Sequence, residues 1–138
     1  MRIGVVGSMN HAEKILALKN RLIEMGHEAF VTGLIDPFVG KDEKEKERIK
    51  LDQETNIDCV IKEFWDLMQG ADAVLVANYE KKGIDNYIGG NTFLEMGFAH
   101  VLNQKIYLLN PVPEIEFYKA EIITMKPIIL NNSLRDIK

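Results

Sequence analysis

Residues 2–10 read RIGVVGSMN. The run from Arg2 to Gly7 is short, apolar, rich in β-branched side chains and closed by a glycine, so it reads as a buried first strand. Outward from it, strands and helical patterns alternate. Ile15, Leu18, Leu22 and Met25 recur at helical spacing over residues 11–25, and Gly26 stops that helix. Residues 28–32 (EAFVT) form a second strand, followed by the loop GLIDPFVGKD. Residues 41–69 are the longest helical pattern. Its first half, KDEKEKERIKLDQE, is almost all charge and reads as a solvated or mobile segment. Its second half puts Ile57, Val60, Ile61, Phe64, Leu67 and Met68 on one stripe that docks on the sheet, and Gly70 ends it.

Residues 73–77 (AVLVA) are apolar throughout, as a central parallel strand should be. The loop YEKKGIDNYIGGN (79–91) leads to a helix expected from Thr92 to Asn103. Residues 105–109 (KIYLL) make a fourth strand that ends at the turn Asn110-Pro111. A short helix from Glu114 to Met125 and an edge strand at 127–130 (PIIL), with Pro127 tolerated at its start, complete the chain. This is an α/β pattern with a mostly parallel five-stranded sheet in a single domain, 1–138. The expected form is Rossmann-like (flavodoxin-like), of order 2-1-3-4-5. Such sheets bind ligands at the switch point, here between the carboxyl ends of strands 1 and 3. Those ends carry Gly7-Ser8-Met9-Asn10 and Asn78-Tyr79.

The 138 residues carry a net charge of −4 with a pI near 5.4, which argues against a nucleic-acid binder with a basic face. A single nucleotide remains compatible, because backbone N–H groups can cradle a phosphate. Cys59 is the sole cysteine, so neither an intramolecular disulfide nor a cysteine zinc cluster is expected, and a reducing cytoplasm is the simplest location. No apolar run reaches the length of a membrane span, and the first residues do not read as a signal peptide.

Two stretches could carry chemistry. Gly7-Ser8-Met9-Asn10 permits close backbone approach to a ligand, or is a plain strand-to-helix turn with Ser8 or Asn10 as N-cap. In GGNTFLEMGFA, Thr92 and Glu95 have the spacing of a capping box, and spacing alone favours that account. The same placement puts Glu95 in a first helical turn, where the dipole favours a carboxylate able to attack the anomeric carbon of a sugar. Gly89 and Gly90 would let backbone approach a phosphate or a sugar hydroxyl.

TFLEMGFA (92–99) resembles the helix-start motif T-x-x-E-[L/M]-G-[Y/F]-A of the nucleoside 2-deoxyribosyltransferase superfamily, which includes the 2'-deoxynucleoside 5'-phosphate N-hydrolases. The resemblance covers most of the chain: the strand ending Gly7-Ser8, Ala71-Asp72 before a Val-rich strand, the glycine loop, and a strand beginning at Lys105. Residues 88–95 are also similar to the P-G-G-x-G-T-x-x-E motif of the nucleoside-monophosphate phosphoribohydrolases, with one residue fewer and Ile88 in place of proline. The resemblance implies that Glu95 is the nucleophile forming a glycosyl-enzyme intermediate, and that Gly7 and Ser8 contact sugar or phosphate. The family's acidic residue before strand 3 is replaced by Phe64, and its strand-1 tyrosine by Gly4. Glu63, Asp66 and Asp58 stand nearby on other helical faces, so no general acid is assigned.

The expected function is cleavage or transfer at the N-glycosidic bond of a (deoxy)nucleoside or its 5'-monophosphate. Glu95 would be catalytic, with Gly7, Ser8, Asn10, Asn78, Tyr79, Gly89, Gly90 and Asn91 binding substrate. A non-catalytic nucleotide-binding or sensing module is the alternative. Neither metal nor organic cofactor is implied, since His11, His27 and His100 are scattered. The expected partner is a small nucleoside or nucleotide, with no nucleic acid or membrane. Tyr87 and Asn86 either cover the pocket or pack their loop down. Trp65 is either core or part of a homo-oligomer surface.

Overall fold

The computed structural model describes residues 1–56 and 60–138. The parallel strands β1 (Arg2–Val6), β2 (Glu28–Phe30), β3 (Ala73–Val76), β4 (Lys105–Leu108) and β5 (Ile128–Ile129) form one sheet of order β2-β1-β3-β4-β5. The helices among the described residues are α1 (Ala12–Glu24), α2 (Glu43–Asn56), α3 (Val60–Leu67), α4 (Gly90–Val101) and α5 (Lys119–Thr124). None is long and apolar enough to cross a membrane.

The apolar strands are buried on both faces, and alternation divides them between two cores. Ile3 and Val5, Ala73 and Leu75, and Tyr107 face α1, joined there by Leu130, Leu134 and Ile137 of the C-terminal segment. Val6, Val74 and Val76, and Ile106 and Leu108 face the other way, onto Phe64 of α3 and Met68 just after it, Met96 and Ala99 of α4, and Ile122 of α5. Each large side chain buried in this way contributes about 1.5–3 kcal/mol.

Three local expectations change. The charged half of the helical pattern expected over 41–69 is less free than its composition suggests. α2 has almost no apolar stripe, yet Lys46 within it is buried, its ammonium bonded to the Glu13 carboxylate at 2.5 Å and the Asn10 carbonyl at 3.2 Å. Of the apolar stripe, Phe64 and Met68 reach the core whereas Ile61 is exposed. Ile57, Asp58 and Cys59 lie outside the described residues. The helix expected over 114–125 is confined to Lys119–Thr124. The helix expected from Thr92 begins at Gly90.

The two departures from the resembled family's pattern meet in space. A Cβ on Gly4 would stand 2.8 Å from Phe30 Cζ and 3.0 Å from Phe64 Cζ. The two rings stack with centroids 5.7 Å apart. A tyrosine at position 4 is therefore sterically incompatible with this aromatic pair, and the absence of side chain at 4 is what lets Phe64 lie flat against the sheet. Gly4→Ala is expected to lower stability by about 1–3 kcal/mol through overpacking. Adding Phe30→Leu should recover part of that loss, because the two positions share one volume. Urea unfolding of both single variants and the double variant measures the coupling, and strictly additive losses would contradict it.

Candidate functional site

β1 and β3 end level with each other, Val6 opposite Val76, and their chains then leave on opposite sides of the sheet. The approach there is close: a Cβ on Gly7 would lie 3.0 Å from the Ala77 carbonyl oxygen. The turn after Gly7 is a short 3-10 segment, Met9–His11, whose N-cap is Ser8. Ser8 Oγ accepts the Asn10 N–H at 3.3 Å. A cleft opens above this turn. Its cavity volume is about 100 Å³. Gly7 and Ser8 form one wall, and Gly89, Gly90, Asn91 and Glu95 at the start of α4 form another. Phe64 of α3 and Lys50, Gln53 and Glu54 of α2 also line it.

The structure thus brings Gly7, Ser8, Gly89, Gly90, Asn91 and Glu95 to one cleft, and leaves Asn10, Asn78 and Tyr79 off its wall. Asn10 borders a separate polar cavity with His11, Lys46 and Lys82. Tyr79 is half-buried beside α1, its ring 5.3 Å from that of His11 and beneath the Lys14 ammonium at 4.6 Å. Asn78 is fully buried and acts as a clasp between the ends of β3 and β4. Its amide donates to the carbonyls of Asn110 at 2.9 Å and Pro111 at 3.1 Å, and its oxygen accepts the Asn110 N–H at 2.9 Å. Asn110 returns the bond through its own amide to the Asn78 carbonyl at 3.1 Å. Of the loop residues, Tyr87 reaches the cleft wall. Trp65 is half-buried and meets Phe98 edge-on at 5.2 Å, beside a shallow groove outside α3 and α4.

Glu95 does not cap a helix. α4 starts two residues earlier than Thr92, with Gly89 as its N-cap and no side-chain capping bond. Thr92 is buried inside the first turn, and Glu95 falls in the second turn. Among the described residues no hydrogen bond reaches its carboxyl group. Burial, reinforced by the nearby negative charge of Glu63, raises its pKa to about 8, so it is largely protonated at neutral pH. Glu63 itself is fastened to the end of β2, accepting the Thr32 hydroxyl at 2.7 Å and the Gly33 N–H at 2.8 Å. Asp66 is exposed, and Phe64 lines the cleft.

Sequence reading missed Lys81. Residues 81–84 form a tight two-residue turn in which Lys81 and Ile84 exchange backbone hydrogen bonds at 3.1 and 3.0 Å. Lys82 and Gly83 adopt positive φ of 53° and 78°, the signature of a type I′ turn. The dipeptide Lys82-Gly83 was the available signal. The turn drives Lys81 inward until its side chain is 5% exposed on the cleft wall. Its ammonium lies 3.2 Å from Ser8 Oγ and 3.3 Å from Glu47 Oε1, and burial lowers its pKa. Glu54 was missed as well: it stands exposed on the cleft wall, where the Asn91 amide donates to it at 3.3 Å.

In comparisons with protein-family models, curated proteins and solved structures, none matches this chain.

Two stability measurements follow from this geometry. Asn78→Ala leaves the backbone N–H of Asn110 and the carbonyls of Asn110 and Pro111 without partners, and a loss of about 2–4 kcal/mol is expected in denaturant unfolding. A loss below half a kcal/mol would show that the clasp is not structural. For Glu95, the folded pKa of about 8 exceeds the ordinary carboxyl value of 4.5. The folded state therefore keeps a proton that the unfolded state gives up, and stability falls as pH rises between those two values. Glu95→Gln removes this effect. It should leave stability unchanged at pH 4 and increase it by about 2–4 kcal/mol at pH 8.5. Melting curves across that range check it, and a pH-independent difference would refute the burial account.

Proposed function

We propose that the cleft cleaves or transfers the N-glycosidic bond of a (deoxy)nucleoside or its 5'-monophosphate, with Glu95 attacking the anomeric carbon. The observation that carries this reading is a desolvated carboxyl group, freed of any capping role, beside paired glycines at the sheet's switch point. Once ionised, such a carboxylate is poorly solvated. It is matched to the positive charge that grows on the sugar as the bond to the base breaks. Gly89 and Gly90 leave backbone N–H groups of the helix start accessible to sugar hydroxyls, and Gly7 and Ser8 face them across the cleft. Phe64 offers an apolar wall against which a base can pack.

A second reading, a nucleotide-binding or sensing module without turnover, is favoured by one specific observation. Phe64 stands on the wall where the resembled family carries a proton donor, and Glu63 is committed to Thr32 and Gly33. Self-association through the groove beside Trp65 and Phe98 is compatible with either reading.

The test is release of free base from a panel of nucleosides and their 5'-monophosphates. As a nucleophile, Glu95 must be ionised, so kcat/KM is expected to climb with pH through about 8 and level off above it. Glu95→Gln should retain the fold and lose turnover by at least about 10³-fold, since the neutral amide cannot form the glycosyl ester. Full turnover in Glu95→Gln rules out the catalytic role, and wild-type binding without base release favours the sensing module.

A further inference from the structure

We propose that Ser8 and Lys81 form a nucleophile–base pair, and that the cleft hydrolyses small carboxylic esters through an acyl-Ser8 intermediate. This activity stands apart from the glycosidic reading and runs on different side chains of the same cleft.

A serine hydroxyl becomes a nucleophile when a base stands within hydrogen-bond reach of it and a further group holds that base in place. Lys81 Nζ lies 3.2 Å from Ser8 Oγ, and among the described residues this is its one hydrogen bond. Glu47 Oε1 stands 3.3 Å from Nζ but accepts no hydrogen bond. The lysine is thus directed at Ser8 and held there by the charge of Glu47. The tight turn at Lys82-Gly83 is what brings Lys81 to a serine 73 residues away in sequence. Both side chains line the cleft.

A lysine serves as a base only where it can give up its proton. Lys81 is almost wholly buried. Burial and the ammonium groups of Lys50 and Lys82 favour the neutral amine, Glu47 opposes them, and the net effect lowers the pKa. Once neutral, Nζ accepts the Ser8 O–H. The Asn10 N–H, donating to Ser8 Oγ at 3.3 Å, keeps the hydroxyl at the mouth of the turn.

The rest of the cleft suits acyl transfer. α4 begins on the facing wall, and its N-cap Gly89 makes no side-chain capping bond, so the N–H groups of the first turn are open to the oxyanion of a tetrahedral intermediate. Leu34 and Phe64 supply an apolar lining for the acyl chain, and a volume of about 100 Å³ restricts it to a short one.

In the first step Ser8 Oγ attacks the ester carbonyl carbon and its proton passes to Lys81 Nζ. The bond from that carbon to the alcohol oxygen breaks, the alcohol leaves with the proton from Nζ, and the acyl group stays on Ser8. Water then attacks the acyl carbon and gives a proton to Nζ. The bond to Oγ breaks, Oγ recovers that proton, and the carboxylic acid departs.

The test is hydrolysis of p-nitrophenyl acetate and p-nitrophenyl butyrate, together with labelling by a fluorophosphonate whose site is mapped by peptide mass spectrometry. The proteins are wild type, Ser8→Asn and Lys81→Arg. Asparagine keeps an N-cap acceptor for the turn and has no nucleophilic hydroxyl. Arginine keeps a positive charge beside Glu47 and cannot be deprotonated to act as a base. Wild type should turn over at least one ester and take up the label on Ser8. Both variants should lose turnover by about 10²-fold or more. Failure of wild type to hydrolyse either ester, a label on any residue other than Ser8, or turnover retained in Ser8→Asn or in folded Lys81→Arg each overturns the proposal. Where Lys81→Arg does not fold, the labelling site and Ser8→Asn decide it. Release of free base from nucleosides, measured on the same samples, separates the two activities. Ser8-dependent ester hydrolysis without base release leaves the nucleophile–base pair standing and removes the glycosidic reaction. Base release without ester hydrolysis does the reverse.

Discussion

The close parallel contact of β1 with β3 is the constraint on which the rest depends. The two strands end at the same level, and the absence of a Cβ at Gly7 lets the turn leave β1 beside the Ala77 carbonyl. From that point the chain of β1 enters the helix layer of one face, while the chain of β3 runs through the glycine loop to α4 on the other. The gap between these diverging connections is the cleft. Its residues come from the first turn, the glycine loop and the helices α2 and α3, and none of them could meet without this junction. Asn78 closes the next junction along, between β3 and β4, by a reciprocal amide clasp that spans 32 residues of sequence.

The fold was legible in the sequence because its signals are local. Continuous apolar runs at 2–7 and 73–77 mark strands buried on both faces, and helical periodicity marks the elements between them. The start of α4 was misread for a physical reason. Gly89-Gly90 has poor helix propensity and reads as loop, whereas the backbone continues the helix through it and buries Thr92. That shift of two residues moves Glu95 from a capping position to a partly buried place on the cleft wall. Lys46, Asn78 and Lys81 were misjudged or missed because what buries each of them lies far away in sequence, at Glu13, Asn110 and Ser8. Composition describes such residues as surface, and only tertiary contact reveals them as interior.

Glu95 and Lys81 show the same principle with opposite charge. Each is an ionisable group taken out of water without full compensation, and in each the pKa moves toward the neutral form. Neither arrangement improves stability, and both border the same cavity. Uncompensated burial at one place in an otherwise well-packed domain is what the proposed ligand would offset, by supplying the missing partners.

α2 forms one side of that site, and its attachment is of an unusual kind. Apart from Ile49, which packs against the core, it is held by ion pairs and hydrogen bonds: Lys46 to Glu13, Glu47 to Lys81, and the Gln53 amide to the Leu34 carbonyl at 3.2 Å. Contacts of this type weaken with ionic strength where they are exposed, while the two hydrophobic cores do not. Local opening of α2 therefore draws on a different free energy from global unfolding. Its amides should exchange with solvent deuterium faster as salt is added, at concentrations that leave the strands fully protected. The mouth of the cleft is thus bounded by an element held more by polar contacts than by the packing of the fold.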